Sequence, residues 1–163
     1  ILGLDPYTSP GVAIGRAFAV SETTKIPVSL RIIMKEIDRT IPSHYDFENP
    51  KFKTLQHWQD QGVMLLNTAL TVETGKTNSH LKYWEVFSKY LIQFISESNK
   101  DIIFVLWGKT AQIYKMYIRD NITLESAHPA AESYNPKNKF IGNEHFLKIN
   151  KILTEKGQLS INW

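Results

Sequence analysis

Four short apolar runs constrain this chain more than any other feature: Ile1-Leu2, Val63 to Leu66, Ile102 to Leu106 and Ile122 to Leu124. None alternates apolar with polar residues, as a strand with one wet face would. Continuous runs of this length suit strands of a parallel sheet covered on both faces. Helical spacings lie between them. Ile26, Leu30, Ile33, Met34 and Ile37 recur at three and four residues, with Pro27 suited to a first turn. Tyr83, Trp84, Phe87, Leu91 and Ile95 do the same in a longer helix expected to begin near Ser79. Thr110 to Ile118 reads as a third helix and Glu144 to Leu153 as a fourth, while Gly62 and Gly157 stand where helix C-caps are expected. Strands alternating with helices predict an α/β fold, a three-layer α/β/α arrangement with a central, mainly parallel four-stranded sheet.

Residues 1–163 read as a single domain, with no internal repeat or linker; the irregular stretches are 40–57 and 127–143. Ile1-Leu2-Gly3 reads as the end of a buried strand with no initiator Met, so the domain is expected to lack an N-terminal segment. The absence of cysteine excludes disulfides, thiolate zinc sites and iron–sulfur clusters. His44, His57, His80 and His145 do not have metal-ligand spacing, and no metal or cofactor is expected. No apolar run is long enough for a membrane span and no signal peptide is visible, so the expected location is intracellular, with no membrane partner. A net charge of +3 and a pI near 9.0 permit a nucleic-acid partner without requiring one.

The residues just past each strand are more informative. Asp5 comes after the first, Asn67 after the second, Gly108 after the third and His128 after the fourth. Each alone is commonplace: Asp-Pro and strand-end Asn are ordinary turn chemistry, and a His before Pro is usually a loop residue. Open α/β sheets, however, bind ligands at the carboxyl ends of their strands, so these four residues should converge on one edge.

Taken together, the segments resemble the family-1 uracil-DNA glycosylases over nearly the whole chain. Gly3-Leu4-Asp5-Pro6-Tyr7 resembles the family's water-activating loop, and Gly15-Arg16-Ala17-Phe18-Ala19-Val20 continues in register. Ile26-Pro27-Val28-Ser29-Leu30 is similar to its proline-rich DNA-binding loop. Gly62 to Thr68 is similar to its uracil-recognition strand, followed by Gly75-Lys76 and Ser79-His80. Leu106-Trp107-Gly108-Lys109 resembles the Gly-Ser loop, and His128-Pro129-Ala130-Ala131 the minor-groove loop, in a form similar to that of poxvirus members. Phe140 to Phe146 and the terminal Ile161-Asn162-Trp163 complete the match.

The resemblance implies a DNA repair glycosylase, working in base excision repair, that flips deoxyuridine from the duplex and hydrolyses its N-glycosidic bond. Asp5 would stabilise the cationic sugar and orient or activate the attacking water; His128 would donate a hydrogen bond to uracil O2. Asn67 would read O4 and N3–H, Phe18 would stack on the base, and Tyr7 would exclude a thymine methyl. Leu4 would contribute a partly backbone contact. Ser29, Ser79, Gly108, Lys109, Ala130, Glu132 and Ser133 would lie along the DNA.

Three positions depart from the family pattern. Leu4 stands where Gln is usual, and Thr8 where His commonly follows the Tyr. The loop after His128 reads Pro129-Ala130-Ala131-Glu132-Ser133, without the Leu that fills the space left by the flipped base; Tyr134 is a candidate for that wedge. Single-stranded DNA is therefore the expected preferred substrate. The expected protein is a monomer, with a proteinaceous glycosylase inhibitor or a replication protein as candidate partners. Two other readings stay open: a non-enzymatic DNA-binding or processivity partner on the same fold, and a glycosylase for a different base.

Overall fold

The structure, a computed structural model, describes residues 1–41, 49–134, 137 and 139–163; His44 lies outside them. In chain order the regular elements are β1 (Leu2–Gly3), α1 (Val28–Thr40), α2 (Gln56–Asp60), β2 (Leu66–Asn67), α3 (Leu81–Ser98), β3 (Phe104–Trp107), α4 (Lys109–Gln112), β4 (Thr123–Ser126) and α5 (His145–Glu155). Short 3₁₀ turns cover Pro50–Thr54, Ile113–Tyr117 and Pro129–Ser133.

The strands pair in the order β2-β1-β3-β4, every pair parallel, so the sheet is wholly rather than mainly parallel. Leu2 lies opposite both Leu66 and Leu106, and Gly3 opposite Asn67. Each ladder sits toward the polar end of its apolar run. In the second run, Val63 to Leu65 precede the paired residues Leu66 and Asn67, with Val63 and Leu65 packed into the core.

Alternation along β3 shows why both faces had to be apolar. Val105 and Trp107 join one core with Leu30, Ile33, Trp58 and Phe146. Phe104 and Leu106 point the other way, into a second core with Leu2, Ile92, Tyr114 and Ile118. Two cores on opposite sides of one sheet make the three layers.

Helix α1 buries Leu30, Ile33, Met34 and Ile37, the stripe its spacing predicts. It also buries a charge. Glu36 is fully enclosed; its carboxylate accepts from Arg39 at 2.9 and 3.0 Å and from the backbone N–H groups of Gly142 and Glu144, both at 2.9 Å. Burial works to raise this carboxyl, but the Arg39 guanidinium and the two N–H groups outweigh it and hold it below the usual carboxylate value. Glu36 thus ties α1 to the segment leading into α5. Glu36→Ala strands those donors in the interior and is expected to cost about 3 kcal/mol, read as a shifted midpoint in chemical denaturation at unchanged slope.

Two helices differ from their sequence patterns. Helix α3 starts at Leu81 and buries Ser88, Ile92 and Ser96, leaving Tyr83 and Phe87 69% and 47% exposed. Its serines are short enough to let the helix lie close to its neighbours. Ser88 Oγ donates to the Thr68 carbonyl and Ser96 Oγ to Asn121 Oδ1, each at 2.5 Å. The single helix expected over Thr110 to Ile118 is instead four residues of α4 followed by a 3₁₀ turn. Ala111, Tyr114 and Tyr117 are three apart, and the tighter turn stacks such positions on one side, here against the sheet. Among the described residues no helix is long and apolar enough to cross a membrane.

Candidate active site

The carboxyl ends of the strands open into a cleft of about 730 Å³ whose wall includes Leu4, Asp5, Tyr7, Phe18, Asn67 and His128, with Ser29 of α1 at its side. Residues as far apart in the chain as Leu4 and His128 are brought together because their strands are parallel neighbours.

The first loop is clamped to the second strand. Thr68 N–H donates to the Gly3 carbonyl at 3.1 Å, and the Leu4 carbonyl accepts from Ala69 N–H and Thr68 Oγ1, both at 2.9 Å. The latter two bonds fix the Leu4 backbone at the edge of the cleft. Its neighbour Asp5 is aimed by these bonds, and Asp5 Oδ2 accepts from Asn78 N–H at 2.7 Å.

Asn67 lies directly over Gly3. A Cβ at that position would collide with Asn67 Oδ1 and lie 2.7 Å from Ala17 Cβ, so only glycine lets the amide occupy the end of β2. Tyr7 and Phe18 form the aromatic wall. Burial pushes the Tyr7 phenol up to about 12, so it stays protonated, and its hydroxyl donates to the Phe18 carbonyl at 3.1 Å. Phe18 is 8% exposed and has φ 66°, a left-handed conformation that costs a non-glycine residue about 1–3 kcal/mol. The ring is held there by Trp107 and His128, with centroids 5.5 and 5.9 Å away. Arg16 closes the segment from outside, bonding Gln59 at 2.6 Å, the Thr54 carbonyl at 3.1 Å, and Gln56.

His128 stands at the start of the Pro129–Ser133 turn, and its Nδ1 accepts from Ala130 N–H at 3.1 Å. Burial lowers its pKa below the ordinary 6.5, so the ring is neutral at pH 7. A neutral imidazole that accepts at Nδ1 carries its proton on Nε2. Gly108 makes room for it. A Cβ there would sit 2.8 Å from His128 Cβ, and the φ of 91° is itself open mainly to glycine.

The other residues singled out for DNA contact are next to these. Ser79 follows Asn78, and its Oγ accepts from Glu73 N–H at 2.8 Å. Lys109 is exposed at the start of α4, and Ala130 meets His128 through its N–H. Ser133 and Tyr134 are exposed, Tyr134 at 74%. Glu132 does not extend freely from its loop: its Oε2 accepts from the N–H groups of Phe140 and Ile141 at 2.7 and 3.1 Å. That pairing joins the His128 turn to the segment that Glu36 holds through Gly142 and Glu144.

Sequence reasoning passed over Asn78, and it placed Gly3 and Trp107 in motifs without giving either a role of its own. Asn is among the few non-glycine residues that tolerate a left-handed backbone, which is the one local signal position 78 carries. His80 and Trp84 have structural partners: both meet Thr71 Oγ1, at 2.9 and 2.8 Å. Trp58 and Trp163 are core residues. His145 is also enclosed. It accepts from Trp107 Nε1 at 3.0 Å, and burial, helped by Lys148, takes its pKa down to about 4. Among the described residues no cluster of three His, Asp or Glu could hold a metal ion.

Comparisons with known proteins match the sequence and the fold of this chain. The family model for the uracil DNA glycosylase superfamily matches residues 1–154. The uracil-DNA glycosylases of Francisella tularensis subsp. tularensis (strain WY96-3418) and subsp. novicida (strain U112) are each 43% identical over 166 aligned positions, covering 100% of this chain and 73% of theirs. The crystal structure of mimivirus uracil-DNA glycosylase superposes with a TM-score of 0.89 at 27% identity, over 99% of this chain and 66% of that one. A mimivirus variant crystallised in complex with UGI gives 0.88 at 27% identity, covering 99% and 67%. A polar cleft at the carboxyl edge of a parallel sheet, together with matches of this extent, leads to one conclusion: the chain belongs to the uracil DNA glycosylase superfamily.

Proposed function

We propose that this protein excises uracil from DNA, hydrolysing the N-glycosidic bond to leave free uracil and an abasic site. The observation that carries this reading is the neutral His128, whose Nδ1 is occupied by Ala130 N–H, so that Nε2–H is presented to the same cleft as Asp5 and Asn67.

The chemistry is set by where charge develops. As the bond from C1′ to uracil N1 breaks, its electron pair leaves with the base and spreads over O2 and O4, while the sugar becomes cationic. Asp5 faces that cation and aligns water, whose oxygen bonds to C1′ and whose proton passes to the carboxylate. The proton taken up by the carboxylate then passes through solvent to the departed uracil anion, so deoxyuridine plus water gives uracil plus the abasic sugar. His128 Nε2–H stabilises the developing charge on O2. Because the donor is neutral, the base can leave as an anion with no proton transfer in the same step.

Selectivity comes from the walls. The Asn67 amide offers a donor to O4 and an acceptor to N3–H; cytosine presents the reverse pattern and leaves both unpaired. Phe18 stacks on the ring, and Tyr7, fixed by its bond to the Phe18 carbonyl, occupies the space beside C5. Leu4 contributes its backbone to the cleft. Ser29, Ser79, Gly108, Lys109, Ala130 and Ser133 take the DNA backbone around the opening. Glu132 holds the His128 loop by its bonds to Phe140 and Ile141. Tyr134 is the large exposed side chain available to replace the flipped base, and a loop lacking the usual Leu favours single-stranded DNA. The described residues act as one catalytic domain and a monomer suffices for the reaction. A proteinaceous inhibitor or a replication protein is a candidate partner, as UGI is for the mimivirus variant.

The test offers one labelled oligonucleotide with uracil, thymine or cytosine at a single position, as single strand and as duplex, with alkali cleavage reporting abasic sites. Cleavage at uracil only, faster on the single strand, is expected, and Asn67→Ala should lower kcat/KM for uracil about 10³-fold. Release of thymine or cytosine at a comparable rate would contradict this reading.

A further inference from the structure

The loop between β2 and α3 lines the cleft with Leu70, Thr71, Val72, Thr74 and Thr77, and through Asn78 it bonds the Asp5 carboxylate. Asn78 donates its N–H to Asp5 Oδ2 at 2.7 Å from a backbone with φ 69°, a left-handed conformation that non-glycine residues seldom adopt. The loop is built to hold that conformation. Glu73 and Lys76 form a bridge closed by Lys76 N–H on the Glu73 carbonyl at 3.0 Å and by an ion pair at 2.6 Å. Glu73 N–H donates to Ser79 Oγ at 2.8 Å, and Gly75 N–H reaches back to the Thr8 carbonyl at 3.1 Å. Beyond Ser79, His80 and Trp84 fasten the chain to Thr71. Asn78 is thus fixed on both sides, with its N–H directed at a carboxylate far away in sequence.

We infer that Asn78 is a positioning residue for the reaction. Its left-handed backbone anchors one carboxylate oxygen of Asp5, leaving the other, Oδ1, to face the sugar and the water. This rests on the reading of Asp5 given above. Ser79 is the next residue, so the hydroxyl proposed to take a DNA phosphate and the amide that holds Asp5 belong to adjacent residues. DNA seated on Ser79 therefore holds the loop that holds the carboxylate. The Asn side chain matters because Asn, like Gly, can occupy the left-handed region, whereas a β-branched residue resists it.

The test compares Asn78→Gly, Asn78→Ala and Asn78→Val by single-turnover and steady-state uracil release, with thermal unfolding alongside. Gly keeps both the N–H and the conformation, and its kcat should stay within about threefold of the unmodified protein. Val should lower kcat about 30-fold, with KM within about twofold, because a displaced carboxylate slows chemistry rather than binding. Ala should fall between them, and it carries the test if the Val protein does not fold. A Val or Ala protein with undiminished kcat would overturn the inference. So would equal losses in Gly and Val, or a loss confined to KM. If the unmodified protein released no uracil, the proposed function would fail instead, which keeps the two outcomes distinct.

Discussion

Asp5→Asn is expected to lower the single-turnover rate of uracil release about 10³-fold while leaving affinity for uracil-containing DNA within a few fold. The substitution preserves the size and shape of the side chain and can still accept from Asn78 N–H at the place where Oδ2 now does. What it removes is the negative charge opposite the developing cationic sugar and the site that takes the water's proton. Contributions of this kind are worth about 10²–10⁴-fold when preorganised. Because neither contributes to ground-state binding, kcat and kcat/KM should fall together. The measurement is a rapid-quench time course at saturating enzyme, paired with DNA binding by anisotropy. A loss of binding in proportion to the rate would mean that Asp5 serves the fold or the DNA instead.

His128→Leu is expected to cost about 10²–10³-fold, the usual effect of deleting one preorganised donor to a developing anion. Its pH behaviour is more diagnostic than its size. Burial puts the His128 pKa below 6.5 in the folded protein, whereas the unfolded chain titrates at the ordinary value. The neutral ring and its bond from Ala130 are therefore fully present above 6.5. They are lost only as the pH falls through the depressed folded value, when Nδ1 gains a proton and faces the Ala130 N–H as a second donor. The acid limb of the unmodified protein should have its midpoint below 6.5, and His128→Leu should lose that part of the limb. A rate that rises as the pH falls through this range would mean that the protonated ring is the active form.

The layered fold and the cleft were readable from the sequence because both depend on pattern. Runs without alternation require cover on both faces, and Val105 and Trp107 against Phe104 and Leu106 supply it. Once the sheet is parallel, the residues after each strand must share an edge, which is how Asp5, Asn67 and His128 come to line one cleft. Contacts that depend on three-dimensional closure were not readable. The exposed face of α3 was hidden because serines at 88 and 96 bury as readily as leucines when they find a carbonyl or an amide. The bonds from Phe140 and Ile141 N–H to Glu132 cross eight and nine positions of the chain, and no local spacing signals them. The bond from Asn78 to Asp5 spans 73 positions, and no local spacing announces it.

The most direct measurement is the amount of free uracil released, by chromatography, from a uracil-containing single strand incubated with the unmodified protein. The account predicts one uracil per modified site, with the strand intact until alkali cleaves it at the abasic position. DNA that is bound but yields no free uracil would contradict it, and would make the chain a binding protein on a glycosylase fold.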